Sequence, residues 1–389
     1  MTPCVLQVML HDGMGGAETL ARHLDSSWTS RIETVALDRA TRQAGGSSDE
    51  DRSAADGGWM IAQEIAAAVP EPHLRRLYGL RQLITSARPD VVLAHSALPA
   101  IYSRLATATL ARPPAVCTVL HSAADDYATG SLRRAERLLA PRTAAVVAVS
   151  DAKATEYVGH FPAMRDRVHV IANGILAGPL RPDGPPACPV RLLATSRLHP
   201  QKDLGTLLHG IRAFLDTPGA PVLELRIAGG DSDPQYAGEL RELAGRLGLD
   251  AAVTFLGART DIAELLAGSD VFVHSALREA APLGVLEAAA AAVPMLVTDL
   301  PHVRSTRLDC ATFPPGDPAA FAAALRRVLD DYPAATAQAV ALRPRILAEY
   351  SMATTTRRYA AVLGTLPGRS AGQQWSRRPA PRDVGQPAA

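Results

Sequence analysis

Alternation is the feature that most restricts how this chain folds. Short apolar runs at 4–10, 90–95, 115–120, 144–150 and 168–172 are separated by segments of helical periodicity. After a break the pattern restarts, with runs at 190–195, 222–228, 253–256, 270–274 and 295–298. The repeat is roughly 25–30 residues, about the length of a strand plus a covering helix. Strands joined through helices lie parallel, and a parallel sheet is covered on both faces, which is why its strands read as unbroken apolar runs. Two such series in 389 residues predict two doubly wound parallel-sheet α/β domains.

The break at 177–189 reads AGPLRPDGPPACP, and its Pro and Gly content marks a linker. The expected division is an N-terminal domain over 1–178, a linker over 179–189 and a C-terminal domain over 190–345. Helical residues 346–365 follow, and then a polar, Pro-rich tail over 366–389 that reads as disordered. Residues 41–58 are polar, acidic and rich in Gly and Ser. They read as a long loop, either a cover over the site or a solvated insertion.

Composition excludes several classes. A net charge of +1 argues against a nucleic-acid binder that works by bulk attraction. The four cysteines are scattered without metal-ligand spacing, which suits a reduced, cytoplasmic protein. No run of eighteen apolar residues is present, so no transmembrane helix is expected. The helical segment 73–87, with Arg75, Arg76, Arg81 and Arg88 around it, leaves two readings open: contact with an anionic membrane surface, or an ordinary solvated face.

Ligands of such sheets bind beyond the carboxyl ends of the strands, so those ends carry the candidate site. The first strand runs into HDGMGGAE, where Gly15 and Gly16 allow backbone to approach a ligand. It is not a dinucleotide fingerprint, since the third glycine position falls on Glu18. His95, His121 and Asn173 close later strands. In the second series, Arg197 and Lys202 share the loop SRLHPQKD, and two cations there suit a diphosphate. The run at 270–274 leads into REAAPLGVLEAAAAAVP, with Glu279 before a helix and Glu287 inside it. Pro282 is placed in the first helical turn, which needs no donated N–H, and the turn offers free N–H groups to an anion. Carboxylates suit sugar or ribose hydroxyls. Cations for a pyrophosphate and acids for hydroxyls together predict a nucleotide-sugar site.

These residues resemble a known family. GMGGAE, VLH at 119–121, VVAVSD at 146–151, VIANG at 170–174 and SRLHPQKD at 196–203 follow one another. FLGARTDIAELLAGSDVFV at 255–273, the E-x7-E pair Glu279 and Glu287, and PPGDP at 314–318 complete the series. In order and spacing they are similar to the retaining GT-B glycosyltransferases of glycosyltransferase family 4. The resemblance implies two Rossmann-like domains facing a cleft, with the 346–365 helix packing back on the N-terminal domain. It implies that Arg197 and Lys202 hold the donor diphosphate, that Glu287 bonds the ribose, and that Glu279, Pro282 and the backbone N–H near Leu283 hold the donor sugar. His121 would contact that sugar beside the reacting carbon, and Gly15 and Gly16 would pass near phosphate and acceptor. His95 and Asn173 are placed on the acceptor side. No metal or other cofactor is implied, and no protein nucleophile. Ala280 and Ala292 stand where the family often has glycine, and Pro282 where it has glycine or proline, which would tighten the space around the donor sugar.

The expected reaction moves a hexose or N-acetylhexosamine from a UDP-sugar to a hydroxyl of a polar acceptor, such as an aminoglycoside-like metabolite. A cell-envelope glycolipid or exopolysaccharide is the alternative acceptor. A GT-B epimerase or phosphorylase, and a non-catalytic protein that binds nucleotide or glycan, are the alternatives of other classes.

Overall fold

The computed structural model describes residues 4–10, 16–27, 31–37, 72–122, 124–128 and 130–366. The chain divides into two compact units, Met1–Ala172 with Thr355–Ala389, and Asn173–Thr354. The 41–58 loop and Gly15 lie outside the described residues, as does all of the tail beyond Leu366.

In the first unit the strands are β1 (Cys4–Met9), β2 (Arg31–Ala36), β3 (Val91–His95), β4 (Ala115–Leu120), β5 (Ala145–Ala148) and β6 (Val168–Val170). They pair in parallel in the order β2-β1-β3-β4-β5-β6. The second unit holds β7 (Val190–Thr195), β8 (Leu223–Ala228), β9 (Val253–Gly257), β10 (Val271–His274), β11 (Met295–Thr298) and β12 (Ala311–Phe313). Their order is β12-β11-β10-β7-β8-β9, again parallel. Each sheet has one point where the strand order reverses, between β1 and β3 and between β7 and β10. Adjacent loops leave in opposite directions there and open a crevice.

Burial follows the two-faced sheet. Val271 and Val273 of β10 join one apolar cluster and Phe272 joins another across the sheet. The helices Leu204–Leu215 and Pro318–Asp330 cover the first of these faces. They pack so closely that a Cβ on Gly210 would lie 2.4 Å from the Phe321 ring. The helix Leu283–Ala290 is buried on the other face against Leu342 and Ile346.

The anticipated strands appear within a residue or two of their expected ends, but β2 and β12 were not anticipated. Both are sheet edges, one half-polar (RIETVA) and the other three residues long. Such edges carry little of the apolar signal that marks a central strand.

The stretch read as a linker is pinned within the second unit. Arg181 N–H donates to the Ala291 carbonyl at 2.9 Å. The N–H groups of Ala187 and Arg191 donate to Asp270 at 3.2 and 2.8 Å. Asp270 is fully buried, and a buried carboxylate must gather donors; this stretch and the start of β7 supply them. At the C-terminus, Thr355 Oγ1 donates to the Ala172 carbonyl at 2.9 Å, so the helix Met352–Gly364 passes from the second unit into the first.

Candidate active site

The reversal point of the second sheet gathers most of the candidates. The loop after β7 carries Arg197 and Lys202, and the loop after β10 carries Glu279. Backbone links join the two loops: Leu277 N–H donates to the Gln201 carbonyl and Ser275 Oγ to that of Lys202, both at 2.9 Å. The neighbouring turn after β8 requires glycine, because a Cβ on Gly229 would stand 1.9 Å from the Ser196 carbonyl oxygen. Asp203, in the left-handed conformation (φ 45°), then caps the Leu204–Leu215 helix by accepting from Thr206 N–H.

Lys202 Nζ forms an ion pair with Glu279 Oε2, with their side chains 19% and 14% exposed. His274 Nε2 lies 3.8 Å from the same oxygen, a contact longer than a hydrogen bond. Burial alone would push the Glu279 carboxyl up; His274 and the Lys202 ammonium outweigh it and hold the pKa at about 2. Glu279 is therefore an acceptor at neutral pH, as sugar hydroxyls require. Arg197 is exposed and has no ion-pair partner among the described residues, so its guanidinium is available to an anion.

The helix start differs in detail from expectation. Pro282 is the N-cap, with ψ 76°, and lies just before the first turn. Its carbonyl accepts from the N–H groups of Val285 and Leu286. Leu283 N–H already donates to the Ala281 carbonyl at 3.0 Å, so that donor is spent within the turn. The next N–H, that of Gly284, has no backbone acceptor among the described residues. A Cβ on Gly284 would lie 2.3 Å from Thr195 Oγ1; the absent side chain lets the helix start press on the end of β7. Glu287 makes no side-chain hydrogen bond among the described residues, and burial raises its pKa. Ala292 lies past the other end of this helix at φ 56°. There the N–H groups of Ala292 and Val293 return to Ala289 and Ala288, a Schellman arrangement that favours glycine. Its departure from the family pattern therefore bears on the helix C-terminus.

In the first unit, His121 follows β4 and His95 ends β3, with His95 Nδ1 2.9 Å from His121 Nε2. His95 is 2% exposed, and its Nε2 is 2.9 Å from Gln7 Oε1. With both ring nitrogens occupied it has nothing left for an acceptor molecule, contrary to the acceptor-side expectation; it supports His121 instead. Burial, then the His121 charge, lower His95 well below the usual histidine range. Burial brings His121 down to about 4, so both rings are neutral at pH 7. Asn173 is 4% exposed, and its Oδ1 is shielded from solvent without a partner. Gly16 opens the helix Gly16–Ser27.

Sequence reasoning did not select His274, Thr298 or Gln7. Thr298 Oγ1 lies 3.3 Å from His274 Nδ1 and donates to the Ala276 carbonyl at 2.9 Å, which fixes the histidine ring beside Glu279. The available signal was a polar residue inside or ending a doubly buried strand: Gln7 within CVLQVM, His274 after DVFV and Thr298 after MLV. Arg81, one of the basic residues weighed for membrane contact, donates to the Ala106 carbonyl and Thr109 Oγ1 at 3.1 and 2.7 Å. Among the described residues no helix is long and apolar enough to cross a membrane.

Comparison with known proteins extends this picture. Residues 189–331 match the family model described as Glycosyl transferases group 1, and residues 14–176 match the model described as Glycosyltransferase Family 4. The chain is 29% identical to the glycogen synthase of Mycobacterium tuberculosis over 341 residues, 83% of this chain and 78% of that protein. It is 28% identical over 319 residues to EpsF of Bacillus subtilis, whose name assigns it provisionally as a glycosyltransferase, covering 76% of this chain and 79% of EpsF. The structure of Anabaena Alr3699/HepE in complex with UDP and glucose superposes with a TM-score of 0.75 at 18% identity, covering 94% of this chain and 100% of that one.

Proposed function

The chain is a glycosyltransferase of the GT-B fold, and on that premise we propose that it transfers a hexose or N-acetylhexosamine from a UDP-sugar to a hydroxyl of a polar acceptor, with retention of configuration. The observation that carries the reading is the Lys202–Glu279 pair at the reversal point of the second sheet, on a loop that also carries the exposed Arg197. Arg197 and Lys202 neutralise the diphosphate and stabilise it as the leaving group, a contribution often worth several kcal/mol in transition-state stabilisation. Glu279 accepts hydrogen bonds from the donor sugar and Glu287 from the ribose. Backbone N–H at the helix start, that of Gly284 first, faces phosphate charge. UDP is favoured over other nucleotides by the likeness to a structure solved with UDP and glucose. The reaction proceeds on one face of the sugar, the departing phosphate taking the acceptor proton, so no protein nucleophile is assigned. The positive charge comes from Arg197, Lys202 and the helix N-terminus, and the scheme requires no metal. The site of action is cytoplasmic.

The acceptor is a polar, hydroxyl-rich metabolite of the aminoglycoside kind. A second reading, a polysaccharide acceptor, is favoured by the likeness to glycogen synthase over most of the chain. Incubation with UDP-glucose, UDP-galactose and UDP-N-acetylglucosamine, each with aminocyclitols or oligosaccharides, should release UDP with one acceptor class. Proton NMR of the product should show the donor's anomeric configuration. An inverted product sinks the retaining assignment, and no UDP release with any pair sinks the reading itself.

A further inference from the structure

In the first unit a chain of hydrogen bonds has its direction set from one end. Gln7 Nε2 donates to the Ala21 carbonyl at 3.0 Å and reaches Thr34 Oγ1 at 3.4 Å. A carbonyl only accepts, so the amide nitrogen lies on that side and Oε1 faces His95. Oε1 only accepts as well, so His95 Nε2, 2.9 Å away, carries the proton. A neutral imidazole protonated on Nε2 has a bare Nδ1. That Nδ1 lies 2.9 Å from His121 Nε2, which must therefore be the donor. The rings are within 17° of parallel, as an in-plane N–H···N bond prefers. His121 Nδ1 is then itself bare, and it is shielded from solvent without a partner.

We propose that Gln7 and His95 are positioning residues that hold His121 as its Nε2–H tautomer, so that its Nδ1 accepts a hydrogen bond from a hydroxyl of a bound sugar. The tautomer selects the ligand chemistry. A hydroxyl can donate to a bare nitrogen, whereas the acceptor-only oxygens of a diphosphate are repelled by it. The hydroxyl belongs either to the sugar of the donor or to the molecule that receives it. The presence of a sugar at His121 rests on the proposed function; the tautomer does not.

A proton added to the pair would reverse the chain: His95 Nδ1–H would donate to His121 Nε2, and His121 would carry its own proton on Nδ1. The titratable group facing His95 is His121, on the loop after β4; Gln7, on β1, is uncharged. Gln7→Glu puts a carboxylate in that place and draws the extra proton in.

The test begins with imidazole nitrogen-15 spectra of the full chain, assigned with a His121→Asn variant. Both rings should appear as Nε2–H tautomers, and a protonated Nδ1 on His121 overturns the proposal. The His121 Nδ1 signal should move on adding UDP-glucose but not UDP if the donor sugar is the source, and on adding free glucose if the acceptor is. No movement with either sugar overturns the hydroxyl assignment. In Gln7→Glu, kcat/KM should fall tenfold or more at neutral pH and recover as pH rises, whereas a purely structural role would lower it equally at every pH. A pH profile parallel to that of the parent overturns the relay. If Gln7→Glu does not fold, the parent tautomer spectrum decides. A chain that releases no UDP from any donor refutes the proposed function, and the tautomer spectrum still decides the relay.

Discussion

Two ion pairs, one in each unit, show how similar chemistry serves different ends. Arg104 and Glu136 of the first unit are fully buried and joined at both oxygens, at 3.0 and 2.5 Å. Arg104 also donates to the Ala100 carbonyl and Thr143 Oγ1, and Tyr157 Oη donates to Glu136. Four of the five guanidinium N–H groups are engaged and both carboxylate oxygens accept. Lys202 and Glu279 of the second unit keep partial solvent access, and neither His274 Nε2 near them nor Thr195 Oγ1 at the end of β7 has a hydrogen-bond partner. A closed network leaves nothing for a ligand and holds the fold. An open one keeps donors and acceptors in reserve, as a site that must exchange partners requires.

The largest effect that tests this contrast is on stability. Glu136→Ala leaves the Arg104 guanidinium buried without its counter-charge and should cost about 3–5 kcal/mol in urea unfolding, while UDP affinity stays unchanged. A loss comparable to that of a surface pair would break the distinction. Lys202→Ala should do the converse. Transfer should slow by roughly 10²–10³ in kcat, and the stability loss should stay below that of Glu136→Ala because the pair keeps partial solvent access; a loss as large would place Lys202 with the structural pair.

The two acids of the site sharpen the comparison through pH. Glu279 has a folded pKa of about 2 against an ordinary 4.5, so its stabilisation is complete above 4.5 and is lost as pH falls toward 2. The difference corresponds to roughly 3 kcal/mol. Glu287, raised by burial, works in the opposite sense: it weakens the fold at neutral pH and ceases to do so as it protonates. Carbon-13 titration of the glutamate carboxyls should show the two midpoints on opposite sides of 4.5, and coincident midpoints would refute the assignment. The smallest effect is expected at Arg212–Asp216, a pair 2.7 Å apart on an exposed helix face. Arg212→Ala should change stability by no more than about 0.5 kcal/mol, which thermal denaturation can check.

Much of the architecture was legible because a doubly covered parallel strand has to be apolar along its whole length. Runs such as AVCTVL and VRLLAT therefore declare themselves. The edge strands β2 and β12 escaped because neither is long nor uniformly apolar. Arg197, Lys202 and Glu279 stand out in the sequence as charges just beyond apolar runs, and the structure brings Lys202 and Glu279 together. His95 was misjudged because a histidine at a strand end looks the same whether it faces a ligand or the interior.

The sequence by itself determined the two parallel α/β units, the loops that follow their strands and the charge those loops carry, since periodicity and residue chemistry are local properties. Partnership was decided only by the tertiary structure. Strand order brings the ends of β7 and β10 together across residues far apart in the chain, so Lys202 meets Glu279, with His274 and Thr298 behind it. In the same way β1, β3 and β4 bring Gln7, His95 and His121 into one line. Which nitrogen holds a proton and which carboxylate stays ionised depend on such neighbours, because both are set by distances that no stretch of sequence contains.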